Sequence, residues 1–180
     1  MTKFKDITII LGSPASGKTT LARRLAADLA LDCLCKDDIK EALFDVLGVG
    51  DREWSRLLSE ASFAVLTRLA RAQFAVGRSC ILEGNWRATH AEGLGAVLAD
   101  EGARAAQICC CAEPAEIARR FASRKRHPGH LDEVLSRGEL HRAALESPAF
   151  MDLDGPRWVY RSDSPAAYSE LRKALNNWRL

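Results

Sequence analysis

The sequence, 180 residues long, is short of net charge and of long apolar runs. Its formal charge is only +2. That gives no field strong enough to argue for nucleic acid or a membrane surface as a partner. No apolar stretch approaches the roughly 20 residues that cross a bilayer. The opening MTKFKDITII lacks the apolar core and cleavage site of a secretory leader, so a soluble, cytoplasmic protein is expected. Cys-x-x-Cys spacing is also missing. The six cysteines, Cys33, Cys35, Cys80, Cys109, Cys110 and Cys111, fall in short apolar runs with no histidine near them in sequence. They read as buried, reduced thiols rather than a metal or redox centre. No internal repeat, low-complexity tract or linker divides the chain, so a single domain over residues 1–180 is expected.

What the chain does have is alternation. FKDITIIL (residues 4–11) reads as a strand buried on both faces. Residues 18–30 carry Leu21, Leu25 and Leu29 at helical spacing. A second strand is expected at 32–36, then a helix capped by Asp37 or Asp38. A long helix is expected over 52–76, with Trp54, Leu57, Leu58, Ala61, Val65, Leu69 and Ala72 on one side and Gly77 ending it. Strands at 79–85, 103–112 and 156–162 alternate with helices at 88–101, from Pro114 onward, and at 165–178. Short helices are expected within 131–145. Such alternation implies right-handed crossovers and a parallel sheet covered on both faces.

Between the first strand and first helix lies GSPASGKTT, residues 12–20. Gly12, Ser13, Pro14, Ala15, Ser16, Gly17, Lys18 and Thr19 fit G-x-x-x-x-G-K-[ST], the phosphate-binding P-loop. The composition answers a physical need. Successive backbone N–H groups must face phosphate oxygens, and large side chains would block that approach. The helix that follows adds unpaired N–H groups and the positive end of its dipole. Lys18 supplies charge to the β- and γ-phosphates. Thr19 offers its hydroxyl to Mg²⁺, and Thr20 closes the ATP-binding stretch.

With the P-loop, two further stretches, CKDDIKEAL and ILEGNWR, make the chain resemble the small P-loop kinases that phosphorylate hydroxyls. These include gluconate kinase, chloramphenicol phosphotransferase, zeta-toxin-like kinases and the kinase domain of polynucleotide kinase. The resemblance covers nearly the whole chain. It implies a P-loop NTPase three-layer α/β sandwich of about five mostly parallel strands with a helical lid. It also implies ATP and Mg²⁺ as cofactors. KDDIK keeps the polynucleotide kinase order of basic, acidic, acidic and basic residues at Lys36, Asp37, Asp38 and Lys40. Asp37 falls at the position of the base that receives the acceptor's proton, with Asp38 the alternative. Glu83 stands where many P-loop proteins have a Walker B aspartate, and is expected to hold Mg²⁺ through a water. Asp38, Lys40, Asn85 and Arg87 are placed against the acceptor.

The stretch EIARRFASRKRHPGH resembles the lid of the same kinases, expected around 119–135. Arg120 and Arg124, four apart, share a helix face. Arg120 is expected at adenine, and Arg124 or Arg126 at the transferring phosphate. His127 and His130 are expected at a flexible lid tip. The expected activity is transfer of the γ-phosphate of ATP to a hydroxyl of a small molecule. Polynucleotide 5′-hydroxyl kinase, nucleoside monophosphate kinase and an ATP-binding switch with slow hydrolysis are the alternatives.

Overall fold

The computed structural model describes residues 5–131 and 150–179. Strand β1 (Asp6–Gly12) is the centre of the sheet, and its apolar run is buried from Asp6 to Leu11. It pairs in parallel with β3 (Cys80–Glu83) on one side and β4 (Arg104–Cys111) on the other. Strand β2 (Asp32–Cys35) lies outside β3, and β5 (Arg157–Arg161) lies outside β4. Among the described residues the sheet order is β2-β3-β1-β4-β5, all parallel. The chain steps outward on both sides of β1, so a crevice opens above its carboxyl end.

The period of two explains how a continuous apolar run serves two cores. Ile7, Ile9 and Leu11 face one way and pack with Phe63, Leu66, Phe74 and Leu94. These come from α3 (Arg52–Ala75) and α4 (Ala91–Glu101). Ile10 faces the other way, against Leu21 and Leu25 of α1 (Lys18–Leu29) and Leu171 and Leu175 of α6 (Ala167–Arg179). The three layers expected from the sequence are present.

Two local expectations need correction. The buried face of α3 is Ser55, Leu58, Ser62, Phe63, Leu66, Ala70 and Phe74. Leu57, Val65 and Leu69 lie on the outer side, 58%, 38% and 39% exposed. Apolar residues follow helical spacing on both faces of this helix, and the face carrying Phe63, Leu66 and Phe74 buries the larger side chains. Its serines cost little there, because the Ser62 hydroxyl donates back to the Leu58 carbonyl (2.6 Å). The end of α3 is as expected. Gly77, at φ 70°, donates to the Phe74 carbonyl, and Arg78 N–H donates to Gln73, which is a Schellman closure.

The second correction concerns α2 (Lys36–Leu47). Its N-cap is Cys35, with no side-chain bond, and Asp37 and Asp38 lie inside the first turn. Neither aspartate caps the helix. Their charge still suits the dipole, but the Asp37 carboxylate is left available for other partners. Helix α5 (Pro114–Ser123) starts, as expected, with Glu113 at the N-cap and Pro114 at the first position. The helices expected over 131–145 lie outside the described residues, apart from Leu131. No helix among the described residues is long and apolar enough to cross a membrane.

Candidate active site

The loop after β1 takes its shape from backbone geometry. Gly12 sits at φ 139°, and a Cβ there would run into the Cys110 carbonyl on β4. Ala15 takes the left-handed conformation at φ 61° despite its side chain, a strain of about 1 kcal/mol of the kind found at functional loops. Helix α1 starts after Gly17 with no side-chain cap and no acid in its first turn, so its N-terminal N–H groups are left for an anion. Lys18 folds back over the loop, its Nζ donating to the Ser13 carbonyl at 2.8 Å. The hydroxyls of Ser13 and Ser16 are buried without a hydrogen-bond partner. Orphaned donors in a loop of small residues, beside a lysine and a helix N-terminus, fit a phosphate chain.

Beside this loop, Thr19 Oγ1 donates to Glu83 Oε2 at 3.2 Å. Burial pushes the Glu83 carboxyl above its ordinary range, while Lys18 and the Thr19 hydroxyl pull it back. Burial likewise lowers Lys18, with Glu83 opposing the shift. Each group's charge thus opposes the effect of burial on the other. A hydroxyl and a carboxylate at the mouth of a phosphate loop are a donor set that fits Mg²⁺ completed by phosphate oxygens and water. No group of three His, Cys, Asp or Glu among the described residues forms a self-sufficient metal cage. Cys35, Cys80, Cys109 and Cys110 are buried thiols.

On the β2 side of the crevice the partners come from separate segments. Asp37, in the first turn of α2, accepts from Lys36 Nζ at 3.0 Å and from Arg126 Nη2. Burial tends to raise its carboxyl, but the charges of Lys36, Arg126 and His130 outweigh that and hold it at about 2. One turn on, Lys40 Nζ donates to Ser55 Oγ of α3 (2.8 Å), and that hydroxyl donates to the Gly129 carbonyl (3.0 Å). His130 Nε2 meets Glu41 at 2.7 Å, and the His127 ring stacks on Phe44 with centroids 5.4 Å apart. His127 and His130, expected at a flexible lid tip, are thus seated on α2. Gly129 permits this because a Cβ would collide with the Phe44 ring. Burial and Arg126 lower the His130 pKa from its ordinary value.

Both sides open into one cavity of about 570 Å³. It brings together Pro14, Ala15, Gly17, Lys18, Thr19, Thr20, Asp37, Lys40, Glu83, Asn85, Arg120 and Arg124 from the expected set. Gly12, Ser13 and Ser16 shape the loop beneath it. Two expected acceptor contacts are elsewhere. Asp38 is exposed and pairs with Arg23 at 3.4 Å, because its neighbour Asp37 already takes the inward position on the helix. Arg87 is exposed beyond the strand end, where its N–H donates to His90 Nδ1. Arg120 bridges Glu116 (2.7 Å) and Ser162 (2.8 Å) at the cavity wall.

The cavity also includes Arg24, Ser59 and Tyr160, which sequence reasoning did not assign, and Ser162 of RSDSPAAY, the stretch whose counterpart in the resembled kinases is expected beside the adenine. Tyr160 and Ser162 lie at the carboxyl end of β5, where strand-end position was the available signal. Ser59 had none, since its helix face was misread. Among the described residues, seven cationic side chains, Lys18, Arg24, Lys36, Lys40, Arg120, Arg124 and Arg126, and two carboxylates, Asp37 and Glu83, line the space. Such a lining suits the phosphates of a nucleotide.

Comparison with known proteins agrees with this geometry. Residues 7–146 match the AAA domain family AAA_33. A protein of Chloroflexus aurantiacus J-10-fl, described as a "putative kinase", is 30% identical, superposes with a TM-score of 0.86, and is covered over 99% of both chains. The Mycobacterium tuberculosis APS kinase CysC, in complex with AMPPNP and APS, is 18% identical with a TM-score of 0.59 over 98% of this chain and 99% of its own. Chaetomium thermophilum Kti12, in complex with ADP-AlF3, is 16% identical with a TM-score of 0.66 over 97% and 99%. No curated protein matches in sequence. The phosphate loop, the parallel sheet in the order β2-β3-β1-β4-β5 and these matches make the chain a member of the AAA domain family, among the small P-loop kinases.

Proposed function

We propose that the protein is an ATP- and Mg²⁺-dependent phosphotransferase that moves the γ-phosphate of ATP to a hydroxyl of a small molecule. One observation carries the reading: the Asp37 carboxylate lines the same cavity as Lys18 and Thr19 of the phosphate loop. A nucleotide switch needs the loop but has no use for a second carboxylate aimed at an acceptor.

In this reading the loop amides and Lys18 hold the triphosphate, with Thr19 and Glu83 positioned for Mg²⁺. Bound there, the ion would neutralise phosphate charge. The acceptor oxygen bonds to the γ-phosphorus while the bond from phosphorus to the β,γ-bridging oxygen breaks, and ADP leaves. The acceptor's proton passes to Asp37. A carboxylate held at about 2 is a weak base. It therefore orients the hydroxyl first, and takes the proton late, once bonding to phosphorus has made that hydroxyl acidic. Arg120, Arg124 and Arg126 supply charge around the transferring group. Residues 119–131 act as the described part of the lid; the remainder of the expected span, 132–135, lies outside the described residues.

The test is transfer from γ-labelled ATP to a panel of sugars, antibiotics, nucleosides, nucleoside monophosphates and 5′-hydroxyl oligonucleotides. Label is expected in a phosphorylated small alcohol, with ADP formed in equal amount. Label found only in orthophosphate, at a rate no acceptor changes, would support the switch instead. Label in a nucleoside diphosphate or an oligonucleotide would move the protein to the corresponding alternative kinase.

A further inference from the structure

Cys33 and Cys35, expected from the sequence to be buried, reduced thiols, meet in the structure. Two apart on β2, they face the same side of the sheet. Leu34, between them, packs against the core beneath α3 and α4, whereas Cys33 packs against the core beneath α1. The two sulfurs are 3.6 Å apart. Cys33 is half-buried and Cys35 is only 4% exposed. An extended strand holds the Cα atoms of such a pair roughly 6.6 Å apart, which is near the upper limit for a disulfide and still within it. Drawing the sulfurs to the ~2 Å of a disulfide asks the strand to pucker. Strand β2 has room to do so, because among the described residues it is the edge of the sheet and pairs with β3 alone. A bond closed against the strand is strained, and strained disulfides are the ones most readily reduced again.

The pair also adjoins the candidate site. Cys35 is the N-cap of α2, two residues before Asp37, and stands opposite Glu83 in the register of β2 with β3. Burial raises the Glu83 carboxyl, and a hydrogen bond from the Cys35 thiol is among the contacts that oppose the rise. A disulfide sulfur has no proton to donate, so oxidation takes that bond from Glu83 and pulls on the first turn of α2. We propose that Cys33 and Cys35 are a redox modification site, which a peroxide converts to a reversible disulfide that disturbs Glu83 and the start of α2. Cys33, the more exposed thiol, reacts first. Its sulfur bonds to one oxygen of hydrogen peroxide as the O–O bond breaks. That gives a sulfenic acid, and the thiol proton leaves with the other oxygen as water. The Cys35 sulfur then bonds to the Cys33 sulfur and displaces the sulfenic hydroxyl, which departs with the Cys35 proton as a second water. The two thiols lose two electrons and the peroxide gains them. Formation of the disulfide does not depend on the phosphotransferase reading; its effect on Mg²⁺ rests on that reading, through Glu83.

The experiment uses the full chain, treated with a small excess of hydrogen peroxide, blocked with iodoacetamide and digested with trypsin. Residues 25–36 form one tryptic peptide, which holds Cys33 and Cys35 and no other cysteine. After peroxide this peptide should be unalkylated and lighter than its dithiol form by two hydrogens, and dithiothreitol should return both thiols. Amide hydrogen exchange over 32–38 and 80–84 should rise in the oxidised chain. The Kd for AMPPNP with Mg²⁺ should rise about 10-fold, as loss of one bond to a charged group implies. In Cys33→Ser, which keeps Cys35 beside Glu83, peroxide should change neither reading. Two alkylated thiols in the peptide after peroxide would overturn the proposal, as would Cys33 found only as a sulfinic acid or joined to a different cysteine. A disulfide that leaves hydrogen exchange as it was would overturn it too. Raised exchange with an unchanged Kd would support the modification site and count against Glu83 as a holder of Mg²⁺. A reduced chain that binds no AMPPNP would count against the nucleotide reading, while the peptide and the exchange still decide the proposal.

Discussion

The side of the cavity formed by the phosphate loop and the side we propose for the acceptor are built in opposite ways. The phosphate side is one contiguous stretch, residues 12–20, in which backbone conformation sets the shape and Gly12, Ala15 and Gly17 all have positive φ. The acceptor side is assembled from α2, α3, the end of β3 and residues 124–131. Side-chain bonds such as Lys40 to Ser55 and Ser55 to Gly129 hold it together. A backbone cradle recognises a group common to many reactions. A wall of side chains from several elements can change its acceptor by substitution, without disturbing the loop.

The strongest way to break this division is Asp37→Asn. If the two sides are separable, transfer should fall by about 10²–10⁴ with ATP affinity unchanged, as expected for loss of a proton acceptor. Melting temperature, calorimetry with AMPPNP and transfer to an identified acceptor, read on one variant, check it. An unchanged transfer rate would make Asp37 structural and move the search to Asp38, whose exposed position makes it a poor candidate.

Lys18→Ala addresses the other side. Removing the charge that meets the phosphates should lower turnover by about 10²–10³, with the acceptor's affinity retained. Wild-type turnover together with wild-type ATP affinity would contradict the assignment of the loop.

The difference in construction also explains what could be read from the sequence. The P-loop spacing and the alternation of strands and helices were legible because each is a local pattern. KDDIK could be located, but the inward role of Asp37 and the outward one of Asp38 follow from the helix beginning at Lys36, one residue before the expected cap. Arg87 was placed by its position near a strand end, yet the chain turns it outward after the buried Trp86. On α3 two apolar stripes competed, and only the packing of Phe63, Leu66 and Phe74 against β1 decided between them. Ser55 and Ser59 were missed as a result. The docking of residues 128–130 on α2 and α3 depends on contacts across more than 70 positions of sequence, such as Glu41 with His130 and Ser55 with Gly129.

Smaller changes sharpen the comparison. Ser55→Ala removes the hydroxyl that joins Lys40 to the Gly129 carbonyl, and should lower stability by about 1–3 kcal/mol. Its effect should appear in the KM for the acceptor and not in that for ATP, measured alongside urea denaturation. The smallest effect is one of pH. Because His130 is held below its ordinary value of 6.5 by burial and Arg126, the unfolded chain binds its proton more readily than the folded one. Stability should therefore decline as pH falls below about 6.5, with Glu41 and Asp37 partly opposing the loss. His130→Gln should flatten that slope in melting curves between pH 7.5 and about 5. A slope unchanged in the variant would show that other groups produce it.

The central claim is that both sides serve one reaction, and the direct measurement is the fate of the γ-phosphate. With γ-labelled ATP, Mg²⁺ and an acceptor alcohol identified from the panel, the account predicts one labelled phosphoester formed for each ADP, with the label lost from that product in Asp37→Asn. Equal ADP release with and without acceptor, and all label in orthophosphate, would contradict it.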